Sequence, residues 1–270
     1  MRKPLVTGLI CAAFAVPVAA HTPYLVPFNF APTEAYVTVH DALTDNTFFT
    51  PEFPIKGDDF YVTDDKGVTI PGKGVSFHEL ALFESALPHE GTFRISTGNR
   101  DVRTLTLAEI DAQWKPVALS KDGKPVAAPF VDQSTLPAGT RIVPVKTMVR
   151  SETYVSYKKP SDSVPPPEGR GLELAALSHP NRLFAGSAFD FAVIFDGQPQ
   201  AQVHYEVFRA NDSYETESYS AGGETDAEGR GRLTFAKPGL YVIEISRKWQ
   251  DGNPSDPRTW LYSLTLEVTP

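Results

Sequence analysis

The chain has 270 residues, 41% of them hydrophobic, and a formal net charge of −8, which is enough for one large domain or two small ones. Its 33 acidic residues against 25 basic ones argue against nucleic acid as a partner, since phosphate contacts need a basic patch. A single cysteine excludes an internal disulfide and any multi-thiolate metal site.

The first element in chain order is an export signal. Met1-Arg2-Lys3 is a short basic region, Val6 to Val18 an apolar one, and Val18-Ala19-Ala20 supplies the small residues that signal peptidase requires. The apolar run is short for a transmembrane helix and carries Pro17 near its end, and no later stretch is long and apolar enough to span a bilayer. Residues 1–20 therefore read as a cleavable signal peptide, and the expected mature protein is periplasmic, is not inserted in the membrane and begins at His21. Cleavage removes two basic residues, Arg2 and Lys3, and no acid, so −8 becomes −10. It also removes Cys11, and with it any cysteine nucleophile or thiolate ligand.

Twenty-four prolines, nineteen glycines and many short Val/Thr/Tyr/Phe runs predict an all-β protein. Strands are expected over Tyr36–His40, Phe60–Thr63 and Gly91–Ser96, with a turn at Asp64-Asp65-Lys66-Gly67 and another at Gly98-Asn99. Leu105–Trp114 reads as a short helix, and Arg141–Val145 and Glu152–Tyr157 as two further strands. Ser161–Arg170, with three consecutive prolines, reads as a semi-rigid connector. It divides the mature chain into two β-sandwich domains: an amino-terminal β-rich domain over 21–160 and a carboxy-terminal one over 171–270, joined by a linker over 161–170. In the second, strands are expected over Phe189–Phe195, Val203–Arg209, Gly231–Phe235, Tyr241–Arg247 and Trp260–Val268. Their order, with turns at Gly197-Gln198-Pro199 and Thr225–Arg230 and the Pro238-Gly239-Leu240-Tyr241 entry, resembles transthyretin-like, carboxypeptidase-regulatory-like (Ig-like) sandwiches. Such modules are structural or binding units, so the likeness speaks to fold.

The chemistry centres on histidine. As the mature amino terminus, His21 offers its α-amine and imidazole Nδ1 for one chelate ring on a metal ion. The amine, with an ordinary pKa of about 8, gives up its proton when a metal competes, and nitrogen donors of this kind suit nickel, copper or zinc. Two nitrogens need a further ligand. His40, beside Asp41 at the end of a strand, leads the candidates, against a plain reading as a solvent-facing residue. His78-Glu79 and His89-Glu90 flank an apolar stretch and meet only if residues 80–88 fold as strand, turn and strand. His179 reads as a turn residue and His204 as a surface one. Enzyme signatures are missing: there is no Gly-x-Ser-x-Gly, phosphate-binding Gly loop or dinucleotide fingerprint. Asp58-Asp59 and Asp64-Asp65 read as solvated turns.

A set of ordered motifs adds a family resemblance. His21-Thr22-Pro23-Tyr24, Leu87-Pro88-His89-Glu90-Gly91-Thr92-Phe93-Arg94, Glu152-Thr153-Tyr154-Val155 and Gly171-Leu172-Glu173-Leu174 come first. His179-Pro180-Asn181, Gly197-Gln198-Pro199 and Thr225–Arg230 follow. Together they resemble a bacterial periplasmic domain-of-unknown-function family whose members are often labelled nickel-uptake-transporter-family proteins. The resemblance implies a non-catalytic periplasmic protein that binds or delivers a divalent transition metal, with an envelope uptake transporter or outer-membrane receptor as partner. It carries over only His21 as a metal contact; many relatives begin His-x-x-Trp, where this chain has Tyr24. Two rival expectations stand beside it. One is a carbohydrate- or protein-binding sandwich module. The other is a copper enzyme with an amino-terminal histidine brace, which needs a second histidine and an axial Tyr or Phe near His21.

Overall fold

A computed structural model describes residues 21–44, 49–121, 124–210, 220–249 and 255–270. The expected signal peptide, residues 1–20, lies outside the described residues. The amino-terminal strands are β1 (Thr22–Pro27), β2 (Tyr36–Thr44), β3 (Asp59–Asp64), β4 (Thr69–Lys73), β5 (Val75–Ser76), β6 (Ala81–Ala86) and β7 (Gly91–Ser96). Next come β8 (Arg100–Ile110), β9 (Gln113–Ala118), β10 (Val131–Asp132) and the long β11 (Ile142–Tyr157). The rest are β12 (Leu172–Ala176), β13 (Ala188–Phe195), β14 (Gln198–Pro199), β15 (His204–Arg209), β16 (Ser220–Glu224), β17 (Arg230–Thr234), β18 (Gly239–Arg247) and β19 (Arg258–Val268). Among the described residues the only helix is one 3-10 turn, Gln133–Thr135. The chain is an all-β sandwich protein.

The strands form three layers. A central eleven-stranded sheet runs β10-β9-β8-β11-β19-β18-β15-β16, with β7 also pairing β11, and β3 and β4 beyond it. A four-stranded sheet, β1-β2-β6-β5, covers one face, and the sheet of β12, β13, β14 and β17 covers the other. Side-chain alternation along β11 makes this possible. Val155 packs with Leu25, Val39, Phe83 and Phe93 on the first side. Tyr154 joins Leu174, Phe191, Ile243 and Leu264 on the second. Val242 of β18 meets Tyr24, Val26 and Ala42, while its neighbours Tyr241 and Ile243 point into the opposite core.

The chain on either side of residues 161–170 is therefore joined through one sheet. β11 and β19 pair in parallel from Lys146↔Arg258 to Thr153↔Thr265. The proline-rich segment is anchored rather than free: Arg94 Nη1 donates to the Pro166 carbonyl at 2.6 Å and Asn99 Nδ2 to the Arg170 carbonyl at 3.2 Å. Where a spacer between two sandwiches is expected, the structure has a strap laid over the central sheet, with a core on each face of that sheet.

A second difference concerns Leu105–Trp114, which forms the β8–β9 hairpin rather than a helix. Asp111 and Ala112 both have positive φ (53° and 58°), the signature of a two-residue type I′ hairpin turn. Pairing of β8 with β11 from Arg100 to Ala108 outweighs the local helix preference of Leu, Ala and Glu. Alanine is strained at positive φ. Ala112→Gly is expected to stabilise the protein by about 1 kcal/mol, read as a higher urea midpoint at unchanged slope.

Candidate metal centre

The turn joining β3 to β4 builds the first half of the site. The Asp64 Oδ1 atom accepts the backbone N–H of Lys66 at 2.9 Å and of Val68 at 2.8 Å. The Gly67 N–H donates to the Asp64 carbonyl at 3.0 Å, and Gly67 has φ of 81°, a conformation open to glycine. The Asp64 carboxylate is thereby fixed with Oδ2 pointing away from the turn. The second half arrives because β3 pairs with β7 so that Asp64 lies opposite Phe93. The loop entering β7 passes over the turn and places His89 Nε2 3.1 Å from Asp64 Oδ2. The imidazole rests against Phe93, ring centroids 5.1 Å apart. Asp65 stands beside them, its Oδ1 buried with no hydrogen-bond partner. Ligand atoms of Asp64, Asp65 and His89 all lie within 4.8 Å of one another, the only such His/carboxylate group of three among the described residues.

The protonation pattern follows from these bonds. Burial pushes the Asp64 carboxyl up, but the bonds from His89, Val68 and Lys66 together hold it below the usual carboxylate range. His89 is raised above the ordinary histidine value, first by its bond to the Glu90 carbonyl and then by Asp64. The contact between His89 Nδ1 and the Glu90 carbonyl oxygen is 2.9 Å, and a carbonyl only accepts, so Nδ1 carries a proton. In the neutral imidazole Nε2 is then a lone pair facing a carboxylate oxygen at 3.1 Å. Two acceptors at that distance need a cation between them, either a proton or a metal ion.

The other histidines take separate places. His21 Nε2 lies 3.1 Å from Glu52 Oε2, and the ring meets the Phe53 ring edge-on at 5.7 Å. His40 does not complete a site with His21. In the β1–β2 register Val26 is opposite His40 and Thr22 opposite Thr44, so His40 shares a face with Tyr24 and Val26, while His21 belongs to the other parity. Five residues of strand also separate positions 21 and 26, about 17 Å at strand rise. His40 packs instead against Tyr24 and Phe28 (5.6 and 5.7 Å), and burial lowers its pKa. His78 and His89 do not converge, because Ala81–Ala86 is one strand with His78 before it and His89 after it. His78 is exposed. His179 fastens the chain at a turn: Nε2 lies 3.1 Å from Thr92 Oγ1, and Nδ1 accepts the Asn181 N–H at 3.2 Å. His204 is exposed, 3.6 Å from Glu206. Asp64 and Asp65, read from the sequence as a solvated turn, are the site residues that reading missed.

Fold and site together define an all-β sandwich protein that carries a His/carboxylate cluster at a hairpin turn. The chain belongs to the family described as "Domain of unknown function (DUF4198)", whose profile matches residues 18–248. No curated protein matches it. Among solved structures it is similar to the D0-D1 domain of intimin, at 9% identity over 90% of this chain and 97% of that one, TM-score 0.22. It is also similar to fibronectin(III)-like modules of Clostridium thermocellum CbhA, at 7% identity over 91% and 94%, TM-score 0.23. Likenesses this low carry no argument about this chain; its fold rests on the sheets described above.

Proposed function

We propose that the protein is a non-catalytic periplasmic binder of a divalent transition metal, supporting uptake or delivery of nickel, copper or zinc. His89 Nε2 with carboxylate oxygens of Asp64 and Asp65 holds the ion. The observation that carries this reading is the 3.1 Å approach of His89 Nε2 to Asp64 Oδ2, with Nδ1 already held by the Glu90 carbonyl, beside the unsatisfied Asp65 Oδ1. One nitrogen and two oxygens suit a borderline metal. The Nδ1 bond to the Glu90 carbonyl is the outer support that metal-ligating histidines commonly have. Three protein donors leave coordination positions open, which favours loading and release over permanent storage. An envelope transporter or receptor is the partner this role calls for.

A second station is supported by His21. Its Nε2 is engaged by Glu52, which leaves Nδ1 and, after cleavage, the α-amine for a chelate. The test is calorimetric titration of the processed protein with nickel, copper and zinc. It is run beside His89→Ala, Asp65→Asn and a form with one extra residue before His21. Loss of one of three ligands in His89→Ala is expected to weaken binding at least 10-fold, as ligand-shell changes do. Unchanged affinity in His89→Ala with loss in the extended form moves the site to the terminus. No binding by any form sinks the proposal.

A further inference from the structure

A cleft of about 380 Å³ opens between the β3–β4 hairpin, the Gly98-Asn99 turn and the strap, lined by Tyr61, Thr69, Gly98, Asn99, Arg150, Glu168 and Arg170. Its size falls in the range of small-molecule sites. The floor is preorganised. Arg150 Nη2 donates to Glu168 Oε2 at 2.8 Å, and Arg150 itself is 2% exposed. Arg94 and Arg150 are matched in the interior by Glu152 and Glu173, all four buried. Opposite charges beneath the floor therefore largely cancel, and Glu168, with its side chain 20% exposed, is the carboxylate that the floor presents. That favours hydroxyl groups over a bare ion.

The walls carry unspent capacity. The Tyr61 ring lies over Gly98, where a Cβ would stand 2.6 Å from a ring carbon, so the missing side chain at Gly98 seats the ring. Among the described residues no protein group bonds the Tyr61 hydroxyl. Asn99, which lines the cleft, spends its Nδ2 on the Arg170 carbonyl at 3.2 Å and keeps its Oδ1 as an acceptor. At the rim the Arg170 side chain is 80% exposed, and its contact with Glu168 is long, 3.7 Å. A guanidinium held this loosely has its fork free for a carboxylate.

We infer that this cleft binds a sugar acid: a single hydroxylated ring bearing one carboxylate. The apolar C–H face of the ring lies on Tyr61, hydroxyls meet Asn99 and Glu168, and Arg170 takes the carboxylate. The inference is independent of the metal reading, since no residue is shared between the two sites.

The test is an amide NMR titration of the full processed protein with sodium glucuronate, with glucose and acetate as comparison probes. The expected result is saturable shifts at Tyr61, Asn99 and Arg170 with glucuronate, weaker ones with glucose and none with acetate. Arg170→Ala, an exposed position that leaves the fold untouched, is expected to weaken glucuronate at least 10-fold and to leave glucose unchanged. Equal shifts with acetate and glucuronate would mean a plain carboxylate site and overturn the inference. So would shifts that avoid the cleft, or an Arg170→Ala protein that binds glucuronate as the parent does.

Discussion

Glu173→Ala is expected to lower stability by about 3–5 kcal/mol, the cost of breaking a buried ion pair whose carboxylate also holds three backbone N–H groups. Glu173 is fully buried and Arg150 is 2% exposed. One carboxylate oxygen accepts from Arg150 Nη1 and from the Glu168 N–H; the other accepts from Gly169 and Arg170 at 2.7 and 3.0 Å. Its loss takes one carboxylate from the buried Arg150 guanidinium, which keeps Glu168 at 2.8 Å, and frees three consecutive N–H groups that hold the strap against the sheet. Arg94, Glu152 and Tyr262 complete the same interior network, Tyr262 donating to Glu152 at 2.9 Å. Against a total stability of about 5–15 kcal/mol, that loss shows as a large drop in the urea midpoint. Glu173→Gln keeps the shape and one acceptor and is expected to fall between the two. An alanine variant within 1 kcal/mol of the parent would show that the network contributes little.

The second large effect is at Glu244. Burial pushes its carboxyl from the ordinary 4.5 to about 7; the Thr22 hydroxyl opposes that rise and the nearby Glu206 carboxylate adds to it. Its Oε2 is buried without a partner. A carboxyl with a raised folded pKa is protonated in the fold and ionised in the unfolded chain. The folded state thus holds an extra proton, and stability drains away as pH rises from 4.5 through 7. The penalty above pH 7 is on the order of 3 kcal/mol, from 1.36 kcal/mol per pKa unit. Glu244→Gln is expected to match the parent at pH 4.5 and to exceed it by that amount at pH 8. Urea melts across this range check it; a constant difference at all pH values would refute the cause.

Strand positions were legible where alternation and glycine brackets act locally. Gly91–Ser96 is a strand within the bounds read from the sequence, and Glu152–Tyr157 is the end of a longer one. What those strands bury was not legible. Thr92, Arg94, Ser96 and Glu152 are interior because their partners come from elsewhere in the fold: Ser161 and His179 for Thr92, Glu168 of the strap for Arg94, the Gly98 N–H for Ser96 and the Tyr262 hydroxyl of β19 for Glu152. The same limit applies to the site. Asp64-Asp65-Lys66-Gly67 reads as a solvated turn by every local rule. His89 reaches it only through the β3–β7 register, which a single sequence does not specify. His40 and His21 looked compatible until the β1–β2 pairing placed them on opposite faces.

The proposed function requires a metal ion to replace the proton between His89 and Asp64. Nitrogen NMR of imidazole-labelled, processed protein, titrated with diamagnetic zinc, tests it most directly. The expected result is that His89 Nε2 shifts to a metal-bound position in proportion to zinc while Nδ1 keeps its proton to the Glu90 carbonyl. A His89 signal that stays unchanged while zinc saturates the protein would contradict it.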